Sequence, residues 1–326
     1  MDTKVNNNEL NSVRNQYLQI IRGGACIWIV LSHCSLFNEY NFGEIGVEFF
    51  IILSGLLTAK NASKKKHLRK NYLIDKLKKL LPLYWCATFV VFFGGSVFPQ
   101  FFSTMKFSVE NLLYSLFLVP DNTFYIYPGW TLTYFFLFYL IYFISDKFCQ
   151  KRDLCASITI LLLVCVGAIC KWALGDNIVT SYFNPIMLEF VYGIGLFYLL
   201  KVVHIKSKYR WITYILSFVL FFDYDRYLWP RYFLPALLSC VAIACFVNAD
   251  IRKDSRICSF FEKVGDISFI IYILHLLIIR PIDKILLKIT GPCFNLFYFI
   301  GIIFGVVFCI GVCWVLNPLL KKMRLV

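Results

Sequence analysis

Charge is scarce in this chain: 16% of its 326 residues are Asp, Glu, Lys or Arg, while 60% are apolar. A soluble domain of this length needs a larger polar shell, since ordinary usage is about 25% charged and 45–50% apolar. Acids are the scarcer sign, 19 against 33 basic residues. The apolar runs lack period-two alternation, which excludes a transmembrane β-barrel. No CxxC occurs, and most of the 13 cysteines stand singly in apolar runs, as Cys26, Cys86, Cys165, Cys240 and Cys309 do. They read as small packing residues rather than a disulfide or metal framework. There is no internal repeat, low-complexity tract or soluble domain. No outer loop exceeds roughly thirty residues, so any chemistry falls to helices and their ends. Residues 1–16 are polar, with Asn6-Asn7-Asn8 and no apolar core. No cleavable signal peptide is expected there, and the first apolar run stays as a helix.

What is present is a membrane composition, with a mean hydropathy of +0.70 and 19% aromatic residues. Only helices and closed barrels satisfy their backbone within a bilayer, so the expected fold is all-α, a polytopic helix bundle. Apolar runs at 17–37, 43–59, 81–98, 128–146, 154–173, 184–203, 211–223, 232–248, 266–282 and 295–316 predict about ten transmembrane helices. Segment 111–120 is too short to span and is expected at the interface or as a re-entrant piece. With both termini in the cytoplasm, 25 Lys and Arg fall on inner segments and seven on outer ones, with Arg22 inside the first span. That asymmetry sets the orientation. It also accounts for the net charge of +14 without nucleic acid. The expected organisation is a polar cytoplasmic N-terminus (1–16), one transmembrane domain (17–316) and a basic cytoplasmic tail (317–326), placed in the cell membrane as a multi-pass protein.

Ionisable residues inside membrane helices are costly and so mark candidate sites. The first helix carries Arg22 and His33. Eleven residues at ~100° each return to within roughly 20° of the same face, so both line one stripe about 16 Å apart along the axis. Such a stripe suits a long anionic ligand with its charge at Arg22 and its reactive end near His33; a snorkelling Arg and a helix-bonded His are the structural alternative. Glu48, on the next helix of an antiparallel hairpin, can approach and orient the His33 imidazole, or sit at the interface. The basic stretch from Lys60 to Lys79 anchors to anionic lipid or meets a phosphorylated ligand. His275 binds substrate or a neighbouring helix, and Glu189 and Trp130 carry the same pair of readings, ligand contact or structure.

The Arg-x10-His pair, the Gly46-Val47-Glu48…Ser54-Gly55 run and the basic stretch ending Lys79-Leu80-Leu81-Pro82 resemble the membrane acyltransferase-3 family of O-acyltransferases. Later segments agree in order: Trp130-Thr131-Leu132 resembles the family's Trp-Thr-Leu segment in its exopolysaccharide-modifying branch. Glu189-Phe190 with Gly193, and Gly265-Asp266-Ile267-Ser268 with Tyr272 and His275, resemble two further family segments. The resemblance runs from about Tyr17 to Leu316. This chain departs from the family's usual residues with Lys76, Lys78 and Lys79 in place of Arg, with Phe135 in place of Glu and with Ile51 in place of Phe.

The resemblance implies transfer of a short acyl group, chiefly acetyl, from cytoplasmic acyl-CoA to a hydroxyl of a surface polysaccharide or its lipid-linked precursor. It makes His33 the essential histidine and Arg22 its partner. From the residues themselves, Glu48 is the candidate orienting carboxylate, Lys76, Lys78 and Lys79 join Arg22 as candidate donor contacts, and Trp130, Glu189 and His275 are the candidate substrate contacts. Ordinary chemistry fits: a sugar hydroxyl attacking a thioester needs a base near neutral pH, and imidazole is one. Forked Arg donors suit phosphate. Acyl-CoA is a co-substrate, so no metal and no permanently bound cofactor are expected. The expected partners are the donor, the carbohydrate acceptor and the bilayer. Two other readings stand beside this one, a glycan transporter or polymerase and an inactive family member that binds without turnover.

Overall fold

The computed structural model describes residues 7–37, 43–98, 105–120, 124–203, 210–219, 233–247, 256–291 and 295–326. Among these the chain is helical, without a strand. The helices are α1 (Asn7–Ser32), α2 (Gly43–Ala62), α3 (Tyr72–Val97), α4 (Val109–Leu116), α5 (Gly129–Phe148), α6 (Arg152–Leu174) and α7 (Ile178–Ser181). There follow α8 (Met187–Val202), α9 (Arg210–Val219), α10 (Leu234–Val247), α11 (Arg256–Asp266), α12 (Ser268–Thr290) and α13 (Leu296–Lys322). A short 3-10 turn, Ser35–Phe37, follows α1. Each predicted apolar run falls largely on one of these helices, although 220–223 of the seventh and 232 and 248 of the eighth lie outside the described residues.

Four helices, α2, α3, α6 and α13, are long and apolar enough to cross a membrane. A span needs about 20 apolar residues, and α8 and α10 have only 16 and 14. The short segment 111–120 falls mostly on α4, whose first turn is capped by Ser108, its Oγ accepting the Asn111 N–H at 3.1 Å.

The buried helix is α2, which packs against α1, α8 and α10. Small residues allow the closest crossings, as expected where lipid supplies no hydrophobic drive between helices. A Cβ on Gly193 would lie 2.1 Å from the Ile52 carbonyl oxygen, and one on Gly55 2.2 Å from that of Phe190. The α1–α11 crossing is equally tight, since a Cβ on Gly265 would come within 2.0 Å of the Gln19 carbonyl oxygen. At the other extreme, α6 and α13 expose Trp172, Phe304, Phe308 and Trp314. Apolar surface of that kind fits contact with lipid.

At the lysine-rich end, Arg152 and Asp146 gather the loop after α2. Arg152 donates to Asp146 Oδ1 at 2.5 Å and to the Lys65 and Ala62 carbonyls. Asp146 Oδ2 accepts the Leu68 N–H at 2.9 Å. Tyr142 and Tyr198 both donate to Asp153, tying α5 and α8 to α6. Cys149, just past α5, and Cys155 in α6 form a disulfide; neither is among the cysteines read from the sequence as packing residues. Ten others among the described residues are free.

Candidate active site

Where α1 ends, α2 begins and α12 passes, a cavity of about 220 Å³ opens. Its lining includes His33, Glu44, Tyr127, Trp130, His275 and Arg280. His33 is the first residue beyond α1, in the turn leading to Ser35–Phe37. Its ring lies 5.1 Å from that of His275, centroid to centroid, and edge-on to Tyr127 at 5.8 Å.

Two polar clusters hold this geometry. The first anchors the His33 turn. Asp283, buried in α12, accepts the Ser35 N–H at 3.2 Å and the Ser35 hydroxyl at 2.5 Å, and also the Tyr298 hydroxyl from α13. Tyr298 in turn accepts the Leu36 N–H at 3.4 Å. The second cluster fixes the α12 face. The Thr131 hydroxyl donates to the Pro128 carbonyl at 2.8 Å, so it accepts from the Tyr272 hydroxyl at 2.6 Å. This bond joins the Trp-Thr-Leu segment to the segment ending at His275, two stretches 141 residues apart in sequence.

About 16 Å back along α1, the lysine-rich end gathers a different set. Arg22 is partly buried. Nη1 reaches Gln19 Oε1 at 3.4 Å, while the buried Nε has no hydrogen-bond partner among the described residues. Asp266, Tyr139 and Lys76 lie within its electrostatic range. Lys76 sits over the Tyr139 ring at 4.2 Å and the Tyr72 ring at 5.6 Å. Lys79 also acts on Tyr139. Lys78 is exposed and takes no part in this cluster among the described contacts. Uncommitted donors beside a lysine on an aromatic floor can receive an anion such as phosphate.

Of the residues singled out in the sequence, His33, Trp130 and His275 therefore share one cavity, while Arg22, Lys76 and Lys79 share the opposite end. Glu48 does not line the His33 cavity, which corrects its expected role as orienting carboxylate. It is fully buried on the α2 face toward α8 and α10, where it and Glu189 act on Cys240 and Tyr192. A hairpin makes α1 and α2 neighbours but leaves the depth of each α2 residue open, and the first turn of α2, with Gly43, Glu44 and Val47, lines the cavity while Glu48 lies one turn beyond Glu44. Glu189 is likewise buried away from it, so its expected contact with substrate is also corrected. Asn184 of the neighbouring Asn-Pro pair accepts the Ile186 N–H at 3.0 Å and shapes the entry to α8.

Sequence reasoning missed Glu44, Tyr127, Arg280 and Asp283. Glu44 and Asp283 are acids in or beside apolar runs, a signal already applied to Glu48. Tyr127 carried no signal among 20 tyrosines, whereas Tyr139 belongs with Phe138 to the stretch that resembles the family's Trp-Thr-Leu segment.

A family model described as an acyltransferase domain matches residues 15–317. The exopolysaccharide production protein ExoZ of Rhizobium meliloti (strain 1021) is 29% identical over 171 residues, 50% of this chain and 53% of that protein. The chain thus spans about half the length of the curated relative it matches. No solved structure matches.

Proposed function

The chain belongs to the acyltransferase family, and on that footing we propose that it is a membrane O-acyltransferase. It takes an acyl group, acetyl in the first instance, from acyl-CoA at the lysine-rich end. It delivers that group to a hydroxyl of a cell-surface polysaccharide or its lipid-linked precursor. The proposed setting is the cell membrane, crossed about ten times, with both termini and the lysine-rich end in the cytoplasm. The similarity to an exopolysaccharide production protein supports the acceptor class.

The observation that carries this reading is the two-ended arrangement along α1. A partly buried guanidinium, its Nε–H unpartnered among the described residues, lies with Lys76 at one end, and an imidazole in a cavity at the other. Phosphates of the donor pair with Arg22, Lys76 and Lys79, and the thioester extends toward His33. His33 removes the proton of the attacking hydroxyl as its oxygen bonds to the thioester carbon. The tetrahedral intermediate then expels the thiolate, breaking the C–S bond, and the imidazolium returns the proton to sulfur. Trp130 and Tyr127 offer aromatic surface to the sugar.

The test compares surface glycan from cells with the wild-type gene, a deletion and His33→Ala, by mass spectrometry before and after mild alkali. An alkali-labile, acetyl-sized mass found only with the wild type is the expected result. Identical glycans from all three, with the protein confirmed in the membrane, would defeat the proposal.

A further inference from the structure

His33 and His275 meet ring to ring, and one of the two is chemically fixed. His275 Nδ1 lies 2.8 Å from the Tyr272 carbonyl oxygen and 3.2 Å from that of Ile271. Carbonyl oxygens only accept, so this nitrogen carries the proton, and Nε2 of the neutral ring holds a lone pair. That Nε2 is buried with no hydrogen-bond partner among the described residues, a costly state for an acceptor. The His275 side chain is 0% exposed, so a bulky ligand does not reach Nε2.

The group beside it is His33, with ring centroids 5.1 Å apart and planes tilted by 32°. An N–H···N bond of about 3 Å, extended by the two ring radii, gives a centroid separation of about 5 Å. The 5.1 Å between the ring centroids matches that separation, and a turn of His33 about its broad χ2 torsion would bring the nitrogens into line. His275 cannot readily turn away. Its Nδ1–H is tied to the backbone, Tyr272 lies across its ring at 6.1 Å, and Tyr272 is itself bound to Thr131. Of the other groups lining the cavity, Arg280 only donates. Glu44 is the one carboxylate that competes for the His33 N–H.

We propose that His275 is the positioning residue for His33. Its Nε2 accepts the N–H of one His33 nitrogen, so that the other presents its lone pair to the acceptor hydroxyl. The relay runs from the Tyr272 and Ile271 carbonyls through His275 to His33. A neutral imidazole thus fills the place that a carboxylate holds in a Ser-His-Asp triad. This rests on the acyltransferase reading, in which His33 is the base.

The experiment uses purified full-length protein in lipid nanodiscs, labelled acetyl-CoA as donor and alkali-treated glycan from the same cells as acceptor. His275→Leu should lower kcat about a hundredfold, the scale of a positioned base, with the KM for acetyl-CoA within about twofold of wild type. His275→Gln, which keeps an acceptor oxygen near the Nε2 position, should recover to within about tenfold. In protein labelled with 15N-histidine, which has only four histidines, His275→Leu should also shift the His33 ring nitrogens.

Wild-type kcat in His275→Leu would overturn the proposal, as would equal impairment of the Leu and Gln variants with acetyl-CoA binding intact. So would a His33 nitrogen spectrum that responds to Glu44→Gln but not to His275→Leu. No transfer by the wild type would instead defeat the acyltransferase reading itself, while the nitrogen spectra still report whether the two rings are bonded.

Discussion

At the scale of single residues, the His33 turn is held from outside α1. Ser35→Ala removes the hydroxyl bond to Asp283 but leaves the backbone bond. A loss of about 1 kcal/mol is expected, read as a lower thermal midpoint in detergent with acyl transfer reduced. Asp283→Leu leaves the Ser35 N–H and the Tyr298 hydroxyl without their acceptor. It should cost about 3 kcal/mol or more, and Ser35→Ala made in that background should then add almost nothing. At the other end of the stripe, Arg22→Lys keeps the charge and loses the fork. The KM for acyl-CoA should rise about tenfold while kcat falls less, a split measured by donor titration.

At the scale of elements, the α2–α8 crossing depends on two glycines whose Cβ positions are already occupied by backbone. Gly193→Val should force the helices apart and destabilise the protein by about 3 kcal/mol, near the upper end for overpacking, measured by thermal unfolding. The Glu-Phe-x-x-Gly segment is thereby understood mainly as packing. The lysine-rich loop after α2 depends on Asp146, which holds both Arg152 and the Leu68 N–H. Asp146→Ala should free that loop and hasten tryptic cleavage between Lys60 and Lys79, followed on gels of inside-out vesicles. Unchanged cleavage would mean the loop is anchored elsewhere.

For the whole molecule, the proposed topology puts Lys66 and Lys288 on opposite sides of the membrane. In a cysteine-free background, Lys66→Cys should resist an impermeant maleimide added to intact cells, while Lys288→Cys reacts. The reverse pattern, or labelling of both, would refute the orientation. The same proposed arrangement would let one helix serve the proposed cytoplasmic donor and a distant acceptor. Arg22 on α1 and His33 just past its end are about 16 Å apart by helical rise, roughly half the ~30 Å hydrocarbon core of a bilayer.

The sequence by itself determined the helical class and the position of each apolar helix, and it marked Arg22 and His33 as a pair, although α1 ends at Ser32, one residue short of His33. These follow from local properties: run length, composition and a 3.6-residue period. It also marked His275 and Trp130 as candidates, because an ionisable or aromatic residue in an apolar run stands out. Tertiary structure alone decided which marked residues meet. Glu48 and Glu44 are one turn apart on α2, about 6 Å along its axis, and that difference in depth leaves Glu44 at the His33 cavity and Glu48 among α8 and α10. His275 meets His33 only because α12 runs beside α1, across 242 residues of chain. Such pairing depends on helix rotation and packing partners, which glycine crossings such as Gly265 against Gln19 set and which no local period encodes.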